Sequence, residues 1–189
     1  MLEQSFVSER EFTVTDINTY TFGDQRYPEF TLLESNKVPL YLMVGEQDLQ
    51  SGVRQLTLSG MVSREDLQRL FDLEELERLF EQRNGSSLQL HRKGPEPPTL
   101  RGWTAEVYQL RPWPRKGIYF RGDYRGSDFL FEPGKGEGFD YHLLSDAARR
   151  HALEIEIYED GDVEIFLSVM LSEEEVVALL PGEGEGLSG

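Results

Sequence analysis

Apolar and polar positions alternate most plainly over Leu153–Val169 (LEIEIYEDGDVEIFLSV). A period of two marks a β-strand with one covered face, and the Asp-Gly pair marks a hairpin. A two-residue turn at Asp160-Gly161 would pair Ile157 with Glu164 and mix charged with apolar side chains on both faces. Pairing Tyr158 with Asp162 instead makes Glu159-Asp160-Gly161 a three-residue loop, its glycine in the left-handed position of a G1 bulge. Leu153, Ile155, Ile157, Val163, Ile165 and Leu167 then share one face, and Glu154, Glu156, Tyr158, Glu164 and Phe166 the other. A one-residue slip would bury the carboxylates, so the second register is predicted.

The same pattern predicts strands over Glu11–Thr21, Glu29–Glu34, Val38–Gly45 and Val53–Leu58. A turn at Phe22–Tyr27 and Ser35-Asn36-Lys37 connect the first three. Short connections of this kind favour an antiparallel meander. Further strands are expected at Ser87–Arg92, Trp103–Leu110, Gly117–Gly122, Phe129–Phe131 and Tyr141–Leu144, with a Gly-rich loop at Glu132–Gly138.

Helical periodicity is confined to two places. Over Ser63–Arg83, Leu67, Leu70 and Phe71 share one face, whereas Leu73, Leu76, Leu79 and Phe80 share another that is out of phase. Two helices broken at Asp72 and ending near Asn84-Gly85 are therefore predicted, with Ser63 and Asp72 as N-caps. Their leucine stripes are read as core. A closing helix is expected from the Ser172-Glu173-Glu174-Glu175 capping box to Pro181-Gly182, followed by a disordered tail at 183–189. The fold class is mainly β with a few short helices: a bent antiparallel sheet or partly open barrel, with the 63–83 helices packed on it. Residues 1–182 are read as a single domain, its one candidate internal boundary being the Pro-rich stretch near 94–100.

Composition narrows the functional classes. The 189 residues include no cysteine, which excludes thiolate chemistry and Cys-ligated zinc and fits a reducing, cytoplasmic compartment. The first residues are too polar for a signal peptide, and the apolar runs are too short to span a bilayer, so a soluble chain with no membrane insertion is expected. The formal net charge is −16. Such a field disfavours nucleic acid and anionic surfaces. The charge is uneven: 152–189 holds acidic residues and no basic one, while Arg101–Arg125 is mainly basic and interleaved with aromatics.

Motifs for chemistry are sparse. His91, His142 and His151 have no metal-site spacing, Gly85-Ser86-Ser87 is no nucleophile elbow, and Gly134–Gly138 lacks the order of a phosphate loop. No cofactor is expected, and no catalytic residue stands out. The informative candidates are charged. In the predicted register Glu156 opposes Glu164 at roughly 5 Å between Cβ atoms, with Glu154 on the same face. A solvated face, pairing with arginines such as Arg121 or Arg125 of the basic stretch, and a divalent cation are the three readings of this cluster, and the first two together outweigh the third.

Tyr27-Pro28-Glu29-Phe30-Thr31-Leu32-Leu33 followed by Leu40-Tyr41-Leu42 resembles a bacterial domain family of unknown function, over about Glu11–Leu58. Members carry an aromatic residue, Glu-aromatic-x-Leu-Leu and then an aromatic/Leu strand; Tyr27 and Tyr41 stand where the family has tryptophan. The resemblance implies a β-rich fold and a bacterial setting, and no catalytic residue.

The functional reading is a non-enzymatic binding or adaptor protein whose partner is a protein or small molecule. The alternative is a small-ligand-binding β-barrel, and an enzyme using paired carboxylates ranks third. A single pocket with converging polar groups would favour the barrel reading, and a flat apolar or acidic patch the adaptor.

Overall fold

The computed structural model describes residues 11–34, 38–47, 54–81, 89–111, 115–126 and 135–176. The chain opens with the expected meander of β1 (Thr13–Phe22), β2 (Gln25–Leu33), β3 (Leu40–Gln47) and β4 (Arg54–Met61). Helices α1 (Arg64–Leu70) and α2 (Leu73–Glu81) follow, then the short strands β5 (Gln89–His91) and β6 (Val107–Leu110). A second meander completes it: β7 (Arg115–Phe120), β8 (Glu137–Ser145), β9 (His151–Tyr158) and β10 (Val163–Ser172).

The two meanders close on one another. β4 pairs with β10 and β7 with β1, both antiparallel, giving the closed order β1-β2-β3-β4-β10-β9-β8-β7. Closure removes the free edges that an open sheet of these strands would expose. β6 joins the edge of β8 at Gln109↔Ser145 and Leu110↔Leu144, past the stretch of β8 taken by β7, and β5 pairs with β6 outside the barrel.

The hairpin between β9 and β10 has the predicted register, with Val163 opposite Ile157 and Glu164 opposite Glu156. The Tyr158 N–H donates to the Asp162 carbonyl at 2.9 Å, and Gly161 sits at φ +94°, where a side chain would be strained. The helical break also falls where expected. Ser63 caps α1, its Oγ accepting from the Asp66 N–H; Phe71 is extended; and the Asp72 carboxylate accepts from the Glu74 N–H at the start of α2.

Two expectations are corrected in the middle of the chain. The strand expected at Trp103–Leu110 is reduced to Val107–Leu110, because the Glu96 carboxylate draws the preceding backbone into a loop. It accepts from the Gly102 and Thr104 N–H groups at 3.0 and 2.9 Å and from the Thr104 hydroxyl at 2.7 Å. Conversely, β8 begins at Glu137, inside the stretch read as a Gly-rich loop. The Ser172 capping box forms, but the closing helix expected there is corrected: it opens only a 3-10 turn at Glu173–Glu175, which ends at an extended Val176. The rest of that closing helix, the 183–189 tail, Ser35-Asn36-Lys37, Asn84-Gly85 and Phe129–Phe131 lie outside the described residues.

The main apolar core lies on the outside of the barrel wall. Leu153, Ile155, Leu167 and Val169 of β9 and β10 pack with Leu58 of β4, Leu67 and Leu70 of α1, Phe71, and Leu76 of α2. Trp103 and Tyr108 complete this layer, and Phe71 meets Tyr108 edge-on at 5.6 Å between ring centroids. Leu67, Leu70, Phe71, Leu73 and Leu76 of the two helical stripes belong to this core, as their periodicity indicated; the side chains of Leu79 and Phe80 lie outside the described ones. Among the described residues, no helix is long and apolar enough to cross a membrane.

Candidate functional site

Because the apolar side chains of β9 and β10 point outward, their alternates point into the barrel. The interior holds a cavity of about 360 Å³, and every strand of the barrel contributes to its wall. Tyr20, Glu29, Tyr41 and Met61 reach it from the first meander; Tyr119, Glu137, Tyr158 and Glu164 reach it from the second. Its open end is ringed by Arg121 and by Asp160 and Asp162 of the hairpin tip. Beside it lies a void of about 10 Å³, enough for one water, bordered by Ser59, Glu154 and Glu156 and shared with the cavity by Tyr20, Glu29, Tyr41 and Phe166. Tyr20, Phe22 and Phe139 fill the adjoining interior, Phe139 meeting the other two edge-on at 5.6 and 5.8 Å. Gly117 makes room for Phe139: a Cβ there would stand 2.3 Å from the ring.

Three carboxyl groups are buried here: Glu29, Glu154 and Glu156 are only 6%, 6% and 4% exposed. Each is reached by side-chain donors. The Glu154 oxygens accept from Ser59 Oγ at 3.3 Å and from the Ser168 and Tyr141 hydroxyls. Oε2 of Glu156 accepts from the Tyr158 hydroxyl at 2.7 Å and the Tyr20 hydroxyl at 3.2 Å. Glu29 accepts at Oε1 from Asn18 Nδ2 at 3.3 Å.

Burial dominates the electrostatics. It pushes Glu29 up to about 7 against the Asn18 hydrogen bond, with Glu154 and Glu164 adding repulsion. Glu156 is pushed up to about 8 by the same cause, and its neighbours Glu154 and Glu29 outweigh part of what the tyrosine hydrogen bonds give back. Glu164, half-buried, is raised by burial and by Glu137 and Asp162, with Arg121 opposing. Tyr20, Tyr119 and Tyr158 are raised well above their ordinary range and Tyr41 is raised too, again through burial first.

Not all of the wall is satisfied. Among the described residues, the Tyr41 and Tyr119 hydroxyls, the Glu164 carboxylate and Oε2 of Glu29 make no hydrogen bond. Polar groups lining a cavity without protein partners are the usual mark of a place where solvent or ligand completes them.

The sequence-derived charged cluster is only partly assembled. Glu154, Glu156 and Glu164 do share a face, but it is the interior face, so the solvated reading is corrected for Glu154 and Glu156. Arg121 borders the same cavity as Glu164, although its ion pair is with Glu137 at 3.9 Å. Arg125 lies outside the barrel, chelated by Asp123 at 2.6 Å and 6.0 Å from the centroid of the Phe30 ring. The histidines stay apart: His91 is on β5, His142 on β8, and His151 contacts Asp146 at 3.3 Å. Among the described residues, no three His, Asp or Glu groups come together as metal ligands.

Glu29, Tyr20, Tyr41 and Tyr119 were not singled out as site residues by sequence reasoning. The available signal was the lone carboxylate of β2, alternating with Tyr27 and Thr31 on one face while Phe30 and Leu32 take the other.

Comparison with known proteins gives no match: no family model, no curated protein and no solved structure is significantly similar to this chain.

Proposed function

We propose that this protein is a small-ligand-binding β-barrel that takes a polar molecule into its open end. The observation that carries the reading is the 360 Å³ cavity, whose wall comes from all eight barrel strands and includes polar side chains without protein partners. The volume falls in the range of small-molecule sites, roughly 300–1,000 Å³. The backbone positions that carry these side chains are all held in the hydrogen-bonded wall. A pocket with converging polar groups also supports this reading over a surface adaptor.

Native mass spectrometry of the protein from its own host tests the proposal. A non-covalent adduct on the wild type is expected, and it should vanish in Met61→Trp, which places an indole at the open end opposite Phe166. No adduct on the wild type, together with no thermal shift across a metabolite library, would overturn it.

A further inference from the structure

The cavity wall is chemically one-sided. Five carboxyl groups (Glu29, Glu137, Asp160, Asp162, Glu164) border it against a single guanidinium, Arg121. The groups left without protein partners are carboxylate oxygens and phenol hydroxyls, which are acceptors or can act as acceptors. Oε2 of Glu29 is one of them: the residue is 6% exposed, Asn18 reaches only its Oε1, and it lines both the cavity and the adjoining one-water void. Once Glu29 has ionised, above about pH 7, an occupant that brings hydrogen-bond donors, positive charge, or both matches this wall best.

Geometry adds a second preference. Glu29, Tyr41, Tyr119 and Glu164 line the same cavity, and the charges of Glu29 and Glu164 both act on the two phenols. Two carboxylates and two aromatic rings converging on one space match an ammonium group, which gains from charge pairing and from ring faces together. A bare metal ion fits poorly, because no triad of ligands forms among the described residues and the space is far larger than one ion. An anion would meet five like-charged groups with only Arg121 to offset them.

Resting on the ligand-binding reading above, we propose that the occupant is an organic cation, its ammonium centre held between Glu29 and Glu164 with Tyr41 and Tyr119 beside it. The test is calorimetric titration of the full chain at pH 8 with choline, butylammonium, butanol and butyrate. Choline or butylammonium should bind at least about tenfold more tightly than the neutral and anionic probes. Glu29→Gln and Glu164→Gln, each keeping side-chain shape, should each weaken the cation by about tenfold or more while melting as cooperatively as the wild type. Glu164 is half-buried, so its variant keeps the test open should Glu29→Gln fold poorly.

Butanol or butyrate binding as tightly as choline, and lost in Met61→Trp, would overturn the cation inference and leave the ligand-binding reading standing. Cation binding unchanged in both glutamine variants would overturn the assignment of these two carboxylates. Failure of both cations to bind at up to about 10 mM would also overturn the inference. The adduct experiment then decides separately whether the barrel takes any ligand.

Discussion

Glu156 stands directly opposite Glu164 across the β9–β10 hairpin, and both side chains enter the barrel. Directly opposed like charges destabilise a strand pair. The structure answers with protonation: Glu156, held near 8 by burial, keeps its proton at neutral pH and accepts from two phenols. Because its folded value lies above the unfolded carboxyl value of roughly 4.3, the folded chain binds more protons across that window. Stability contributed by this group is full below about pH 4 and is lost as pH rises towards 8. Glu29 acts in the same direction up to about 7.

Glu156→Gln should therefore behave oppositely to a typical buried-residue change. The amide oxygen can still accept from Tyr20 and Tyr158, but no charge forms as pH rises. Chemical denaturation at pH 5 and pH 8 should show the variant gaining on the wild type by on the order of 3 kcal/mol across the interval. A pH-independent difference would refute the assignment of the proton.

Gly117→Val tests the close approach inside the wall. Its Cβ would meet the Phe139 ring at 2.3 Å, and that ring is itself wedged between Tyr20 and Phe22. Overpacking of this kind costs about 1–3 kcal/mol, and the expected readout is a matching drop in denaturation midpoint. Adding Phe139→Leu should recover part of the loss.

Glu96→Ala tests whether the Pro-rich stretch near 94–100 is a loose connector or a fixed part of the fold. The substitution leaves the Gly102 and Thr104 N–H groups without their acceptor, and should cost about 1–3 kcal/mol. In the wild type, burial alone would raise Glu96, yet the hydrogen bonds from Thr104 and Gly102 and the nearby Arg92 hold it below its ordinary value. Its contribution is accordingly present above the unfolded carboxyl value and fades as pH falls through the lower folded one. Wild-type behaviour of the alanine variant at neutral pH would show the loop to be loosely held.

Leu70→Ala and Tyr41→Phe should separate the two faces of the wall. Leu70 is 1% exposed in the layer that docks α1 on the barrel, so its truncation should cost about 2–5 kcal/mol. Tyr41→Phe removes a hydroxyl with no protein partner among the described residues and should leave stability within about 0.5 kcal/mol of the wild type. Equal losses, measured by chemical denaturation, would contradict the division into a structural outer face and a solvent- or ligand-facing inner one.

Much of the fold was legible because local rules carried it. The parity of Leu153–Leu167 fixed which residues share a face, and the glycine of Glu159-Asp160-Gly161 fixed the loop length. The phase change at Asp72 marked the helical break. Parity does not say which face encloses space, however. In a flat sheet the apolar side of β9 and β10 would be covered and the acidic side wet, which is one of the three readings given for Glu154 and Glu156. Closure through β7–β1 and β4–β10 turns the acidic side inward and leaves Leu153 and Ile155 to be covered by helices. Those two seams join strands that are distant in sequence, and no short-range pattern announces them. Glu29, Tyr41 and Tyr119 stayed hidden for the same reason: each is one polar or aromatic position on a different strand, and only the closed wall brings them together.

Placing the greasy layer outside the staves has a consequence for how such a molecule can change over generations. On the ligand-binding reading proposed above, the side chains that would choose a guest, Tyr41, Tyr119 and Glu164, are separate from the leucines that hold the helices on the wall. A lineage carrying this architecture would then re-line Tyr41, Tyr119 or Glu164 in single steps while the leucines of α1, β9 and β10 stay unchanged.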